Sequence, residues 1–325
     1  MIIYYLLKVG VNIMAENLTD KKYFPNFKQY FVNVDENVQL NTLKGGNGKQ
    51  ACLLLHGHPE THLLWRFIAE KLAEKYTVIM PDLRGYGYSS KPKGLKDHSN
   101  YSKRTMAQDC LKLMEFFGFK KFHAAGHDRG ARVLHRLAMD HPESLISCTL
   151  IDILPTYDMY ASTTEEFATK YWHWFFYIQG DRFPETLLSA DPEYFINYNL
   201  NLKIGPAARA NFPKDVLHEY AHCFSLPGTI HGIAEDYRAS AGIDREYDKE
   251  DVALHKKITV PLLIMWGNNG VVGKLWDIKA GWEQYSDRMK AIGVNQCGHF
   301  VPEEQPDIVY NEMVKFMDEV EKGIF

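Results

Sequence analysis

The sequence contains no Cys-x-x-C pair, and its five cysteines (Cys52, Cys110, Cys148, Cys223 and Cys297) are scattered and odd in number. Neither a disulfide framework nor a zinc cluster fits that distribution, so the thiols read as small buried hydrophobes in a reducing compartment. No run of Lys and Arg could track phosphates, and the formal net charge is −4, so nucleic acid is not an expected partner. Long apolar runs are missing too. Residues 2–7 fall far short of the roughly 20 residues a membrane span needs, and they follow no basic stretch and precede no small-residue cleavage site. No membrane partner is expected, and the cytoplasm is the default location. Met14 offers a second start, which would make residues 1–13 a dispensable part of an N-terminal arm, 1–25. There are no internal repeats or low-complexity tracts.

What is present is a chain of 325 residues with enough apolar content for a substantial core. Residues 30–34 and 38–43 read as short strands around a turn at Asp35-Glu36-Asn37, and a glycine-rich loop follows at 45–49. Runs at 51–55 and 77–80 read as buried strands, and 121–125, 145–153, 261–266 and 289–294 as further strands. Helical spacing appears at 64–75, 106–117 and 307–321. Strands alternating with helices at this pitch predict an α/β fold with a mostly parallel, doubly wound sheet. Between 154 and 251 the strand rhythm gives way to aromatic-rich helices, including Tyr171, Trp172, Trp174, Phe175, Phe176 and Tyr177. The expected organisation is a core of 26–153 and 252–325 with an inserted helical cap, 154–251. An aromatic lining between cap and core would keep water from the chemistry.

Gly126-His127-Asp128-Arg129-Gly130 follows an apolar strand and opens a helix-like segment, 131–139. A small residue, a nucleophile two positions on and a Gly two beyond that form the pattern of a nucleophile elbow. With Asp128 in place of the Ser of a lipase, the expected chemistry is carboxylate attack on a carbon bearing a leaving group or a strained ring. An Asp at a strand-to-helix junction also serves as an ordinary helix N-cap.

The ester formed by such an attack needs a base to activate water. His299, in Cys297-Gly298-His299-Phe300 between the last strand and the last helix, occupies the right place in chain order. Asp152, an acid in an apolar strand end, is the candidate to orient it, with Asp158 as a weaker one. The loop His56-Gly57-His58-Pro59 is placed to offer an oxyanion hole, through the backbone N–H groups of His58 and Arg129. His56 itself reads as structural. Arg129 and Arg132, one helical turn apart beside the nucleophile, suit a grip on a substrate carboxylate.

At these motifs, with Pro81-Asp82-Leu83-Arg84-Gly85-Tyr86-Gly87, the chain resembles the fluoroacetate (haloacetate) dehalogenase family of the α/β-hydrolase superfamily, close relatives of the epoxide hydrolases. The resemblance runs from about Phe31 to the C-terminal helix and implies the α/β-hydrolase fold. In the cap, Tyr171-Trp172-His173-Trp174 and Asp236-Tyr237-Arg238 resemble the segments that bind the leaving halide, which implies His173, Trp174 and Tyr237 as donors. The family also places its acid where Asp152 stands. His58 is a departure, since these enzymes often carry an aromatic residue there. It keeps the oxyanion N–H and alters the shape and charge of the pocket floor.

The expected reaction is hydrolytic dehalogenation of a short 2-haloacid such as haloacetate, without metal or organic cofactor. The resemblance also implies a homodimer. An epoxide hydrolase using the same Asp128, His299 and Asp152 is the alternative. A non-catalytic binding protein on this fold fits less well, because the nucleophile and the base are both retained.

Overall fold

A computed structural model describes residues 18–325; the arm expected at 1–13 and the second start at Met14 lie outside that range. Eight strands form a single sheet: β1 (Lys28–Asp35), β2 (Val38–Gly45), β3 (Ala51–Leu55), β4 (Thr77–Pro81), β5 (Phe122–His127), β6 (Leu145–Ile151), β7 (Leu262–Gly267) and β8 (Met289–Val294). Their order is β1-β2-β4-β3-β5-β6-β7-β8. β1 and β2 pair antiparallel, as does β2 with β4, and every pairing from β4 through β3 to β8 is parallel.

The residue types explain these elements. β3 is Ala-Cys-Leu-Leu-Leu and buried at every position, as a central strand covered by helices on both faces must be. β1 alternates more, as an edge strand does. All five cysteines are buried free thiols.

Several elements differ from expectation, three of them near the site. The helix expected over 64–75 is a short turn, His62–Trp65, followed by Ala69–Ala73. Side chains organise that segment: Thr61 caps the turn, while His62 bonds Asp82 and Asp20. The helix expected from 131 begins at Asp128. The strand expected to reach 153 ends at Ile151, because Asp152 turns out of the sheet with φ +55°.

Between β6 and β7 the chain is helical from Thr156 to Ala253. This insertion covers the carboxyl ends of the strands. Tyr177 and Tyr237, from helices Trp172–Tyr177 and Thr229–Ala241, pack edge-on against His58 in the loop after β3. Among the described residues no helix is long and apolar enough to cross a membrane.

Candidate active site

Four segments at the carboxyl ends of parallel strands meet beneath the insertion: His56–Pro59 after β3, Asp128 after β5, Asp152 after β6 and His299 after β8. Ligands of open α/β sheets bind at this end.

Asp128 sits at φ +44°, a left-handed conformation that is uncommon outside glycine and strained for most side chains. The close packing around it accounts for the flanking glycines. A Cβ on Gly126 would lie 2.7 Å from the carbonyl carbon of Gly130, and one on Gly130 would lie 2.5 Å from the backbone oxygen of His56. Asp128 does not serve as an N-cap. The cap position is His127, whose side chain caps nothing, and Asp128 Oδ2 accepts the backbone N–H of His58 at 3.2 Å.

His299 faces the same carboxylate. Its Nε2 is 3.9 Å from Asp128 Oδ2, near but beyond direct hydrogen bonding. Its Nδ1 is 2.6 Å from Asp152 Oδ2, and Asp152 Oδ1 accepts the N–H of Gly267 at 3.1 Å. Asp152, not Asp158, is therefore the acid on His299; Asp158 lies in the helix Thr156–Ala161. Burial pushes the Asp128 carboxyl up, but His299, Arg129 and Arg132 outweigh it and hold the group well below the usual carboxylate range. Burial also disfavours a charged His299, yet Asp128 and Asp152 raise its pKa above the ordinary value. Asp128 is ionised at neutral pH, and His299 is tuned by two carboxylates.

The two arginines are buried at the start of the same helix. Arg129 lies on Asp236, and Nη2 also donates to Ser240 at 2.5 Å. Arg132 Nη1 donates to Leu154 O and Thr156 Oγ1, both at 3.0 Å. Arg129 Nη1 and Arg132 Nε remain buried with no partner. The aromatic groups singled out in the insertion gather over these cations. The Arg129 guanidinium is 4.1 Å from the Tyr237 ring centre, and that of Arg132 is 4.7 Å from Trp174. His173 and Trp174 each pack edge-on to Tyr237, at 6.0 and 6.1 Å. All three rings are buried.

Residues 51–306 match the model of the α/β hydrolase fold family, from the first residue of β3 to the start of the final helix. The chain belongs to the α/β hydrolase family. Among characterised relatives it is 39% identical to the fluoroacetate dehalogenase of Burkholderia sp., over 93% of this chain and 97% of that one. It is 32% identical to the soluble epoxide hydrolase of Corynebacterium sp. strain C12, over 86% of this chain and 93% of that one. A crystal structure from Nostoc sp. PCC 7120 classed with the α/β hydrolases superposes with a TM-score of 0.86. It is 45% identical and covers 90% of this chain and 99% of that one.

Several residues that build the hydrolase site carry no motif of their own. His127 bridges two loops: Nδ1 is 3.0 Å from Glu60 Oε2, and Nε2 is 2.8 Å from the backbone oxygen of His299. Glu60 Oε2 also accepts the N–H of Gly57. Burial lowers the His127 pKa, but Glu60 overrides that and lifts it to about 9. This pair joins the loop after β3 to the loop that carries His299. His56 is structural as expected, with Nε2 accepting the Leu83 N–H at 2.9 Å. Asp236 precedes Tyr237 in the Asp-Tyr-Arg triplet and has no sequence signal of its own; it bonds Arg129, Lys103 and the Tyr86 hydroxyl. Lys203 is equally silent in the sequence. It ends the helix Pro192–Lys203 and lines a cavity of about 420 Å³ together with Tyr171, Trp172, Asn199, Lys274 and His299.

Proposed function

We propose that this hydrolase removes halide from a short 2-haloacid, such as a haloacetate, and releases the 2-hydroxy acid. One observation carries the proposal: Arg129 Nη1 and Arg132 Nε are buried donors without partners beside an ionised nucleophile. Leaving such donors unpaired costs about 1–3 kcal/mol each or more, and a substrate carboxylate would satisfy both. A neutral epoxide offers one uncharged acceptor oxygen, too little for two guanidinium donors.

In this scheme the carboxylate on Arg129 and Arg132 presents C2 to Asp128. An Asp128 oxygen attacks C2, and the C–X pair leaves with the halide toward His173, Trp174 and Tyr237. Each hydrogen bond to the departing anion contributes about 1.5–3 kcal/mol. His299 then takes a proton from water as that water attacks the Asp128 carbonyl carbon. The N–H groups of His58 and Arg129 hold the oxyanion. Collapse breaks the ester C–O bond, the protonated His299 returns its proton to the departing alkoxide, and the Asp128 carboxylic acid left behind releases its proton to solvent to become a carboxylate again.

Tyr237, with Tyr177 stacked on it at 4.9 Å, would also suit an epoxide oxygen, so the test covers both chemistries. Purified protein is incubated separately with fluoroacetate, chloroacetate and an aryl epoxide. Halide from the acids and no diol is the expected outcome. Diol without halide would assign the protein to the epoxide hydrolases instead.

A further inference from the structure

Lys203 Nζ lies 3.3 Å from His173 Nε2 and 5.5 Å from the centre of the Tyr171 ring. Among the described residues it has no carboxylate within ion-pair distance. An ammonium can only donate, so its contact with Nε2 makes that nitrogen the acceptor and leaves the imidazole proton on Nδ1. His173 Nδ1 is buried with no hydrogen-bond partner. A donor in a dry pocket and an uncompensated cation behind it are both costly, and a single anion facing that donor relieves both.

We propose that Lys203 is a positioning residue for leaving-group departure. Its ammonium holds His173 with Nδ1–H free to donate and places positive charge behind the departing halide. This inference rests on the dehalogenase function proposed above.

Charge balance supports it. Before attack the negative charge sits on Asp128, and after attack it sits on the halide while Asp128 is a neutral ester. A fixed cation behind His173 attracts the charge where it arrives. The Lys203 backbone packs against the loop of His299, its oxygen facing the His299 N–H at 3.5 Å. A Cβ on Gly298 would lie 2.5 Å from that same oxygen.

The site also makes this ammonium titratable. Burial depresses Lys203 to about 8, against the opposing pull of Asp128, Glu60 and Asp152. The other titratable groups around it are His58 and His173, both kept neutral by burial, and Tyr171, His299, Lys170 and Lys274 on the walls of the cavity.

The test compares the wild type with Lys203→Met, Lys203→Gln and Lys203→Arg on fluoro-, chloro- and bromoacetate between pH 6 and 10. Wild-type kcat is expected to fall as pH rises through about 8. Met and Gln should remove that alkaline limb and steepen the fall in kcat from bromide to fluoride by about tenfold or more, with KM little changed. Arg should recover much of the rate and move the limb upward. An equal loss on all three acids with the wild-type pH limb intact would overturn the proposal and make Lys203 merely structural. No halide release from any acid by the wild type would overturn the dehalogenase function itself, and this inference with it.

Discussion

Arg129 and Asp236 form a buried bidentate ion pair, Nε to Oδ2 and Nη2 to Oδ1, each at 2.9 Å. Two of the guanidinium's nitrogens are thus fixed before any substrate arrives, and Nη1 is left aimed by the pair. Lys103 shares the same carboxylate, so Asp236 neutralises part of a cluster of two cations. Burial raises the Asp236 carboxyl, yet Arg129 and Lys103 hold it far below its ordinary range.

Asp236→Asn should therefore act on binding and on stability together. It leaves buried Arg129 facing a neutral amide and Lys103 with Asp244 alone, which is expected to cost about 3–5 kcal/mol. The folded variant should show a KM for haloacetate raised by about tenfold or more as Arg129 loses its aim. Denaturant titration and steady-state kinetics measure the two effects. A KM equal to that of the wild type would remove Arg129 from the carboxylate site.

His299→Gln should separate the two half-reactions. Attack by Asp128 does not need the base, so one halide per protein molecule is expected, followed by a stable ester on Asp128. Intact-mass spectrometry reads the added carboxymethyl mass. In the wild type, ester cleavage requires neutral His299; in the free protein Asp128 and Asp152 both raise its pKa, and once Asp128 is a neutral ester the support of Asp152 remains. Turnover should fall on acidification, with ester accumulating at the acid end. Sustained halide release by the variant would mean another group activates the water.

Glu60→Gln tests the clamp between the oxyanion loop and the loop of the base. His127 titrates at about 9 in the fold against 6.5 for an ordinary histidine. A raised pKa gives stability that is fully present below 6.5 and fades as pH rises through 9. Glu60 is lowered: burial alone would raise it, but His127 outweighs that, so its share is lost only on strong acidification. The wild type should exceed the variant by about 3 kcal/mol near pH 6, with the gap closing toward pH 9. Thermal or denaturant unfolding across that range measures it. A gap constant with pH would deny the ion pair its role.

The parts of this molecule legible in the sequence are those whose chemistry is local. β3 begins and ends where its apolar run does, because a buried strand in a parallel sheet needs little but continuous apolar residues. Asp128, His299 and Asp152 announce themselves by residue type, chain order and flanking glycines. Glu60, Asp236 and Lys203 do not, because each gains meaning from a partner far along the chain. Glu60 meets His127 across 67 residues, and Asp236 meets Arg129 across 107. Lys203 reaches His173 over 30 residues, from another helix. The end of β6 is hidden as well: Ile153 continues the apolar pattern, while the positive φ that turns Asp152 toward His299 leaves no mark in hydrophobicity.

Nucleophilic attack by Asp128 is tested most directly by a single turnover of chloroacetate with enzyme in excess, in water enriched in oxygen-18. Covalent catalysis places the solvent oxygen in Asp128 and an unlabelled Asp128 oxygen in the glycolate. The expected result is an Asp128 peptide heavier by one oxygen-18 and unlabelled glycolate. Labelled glycolate with an unlabelled Asp128 peptide would contradict it, and would assign the attack on carbon to water.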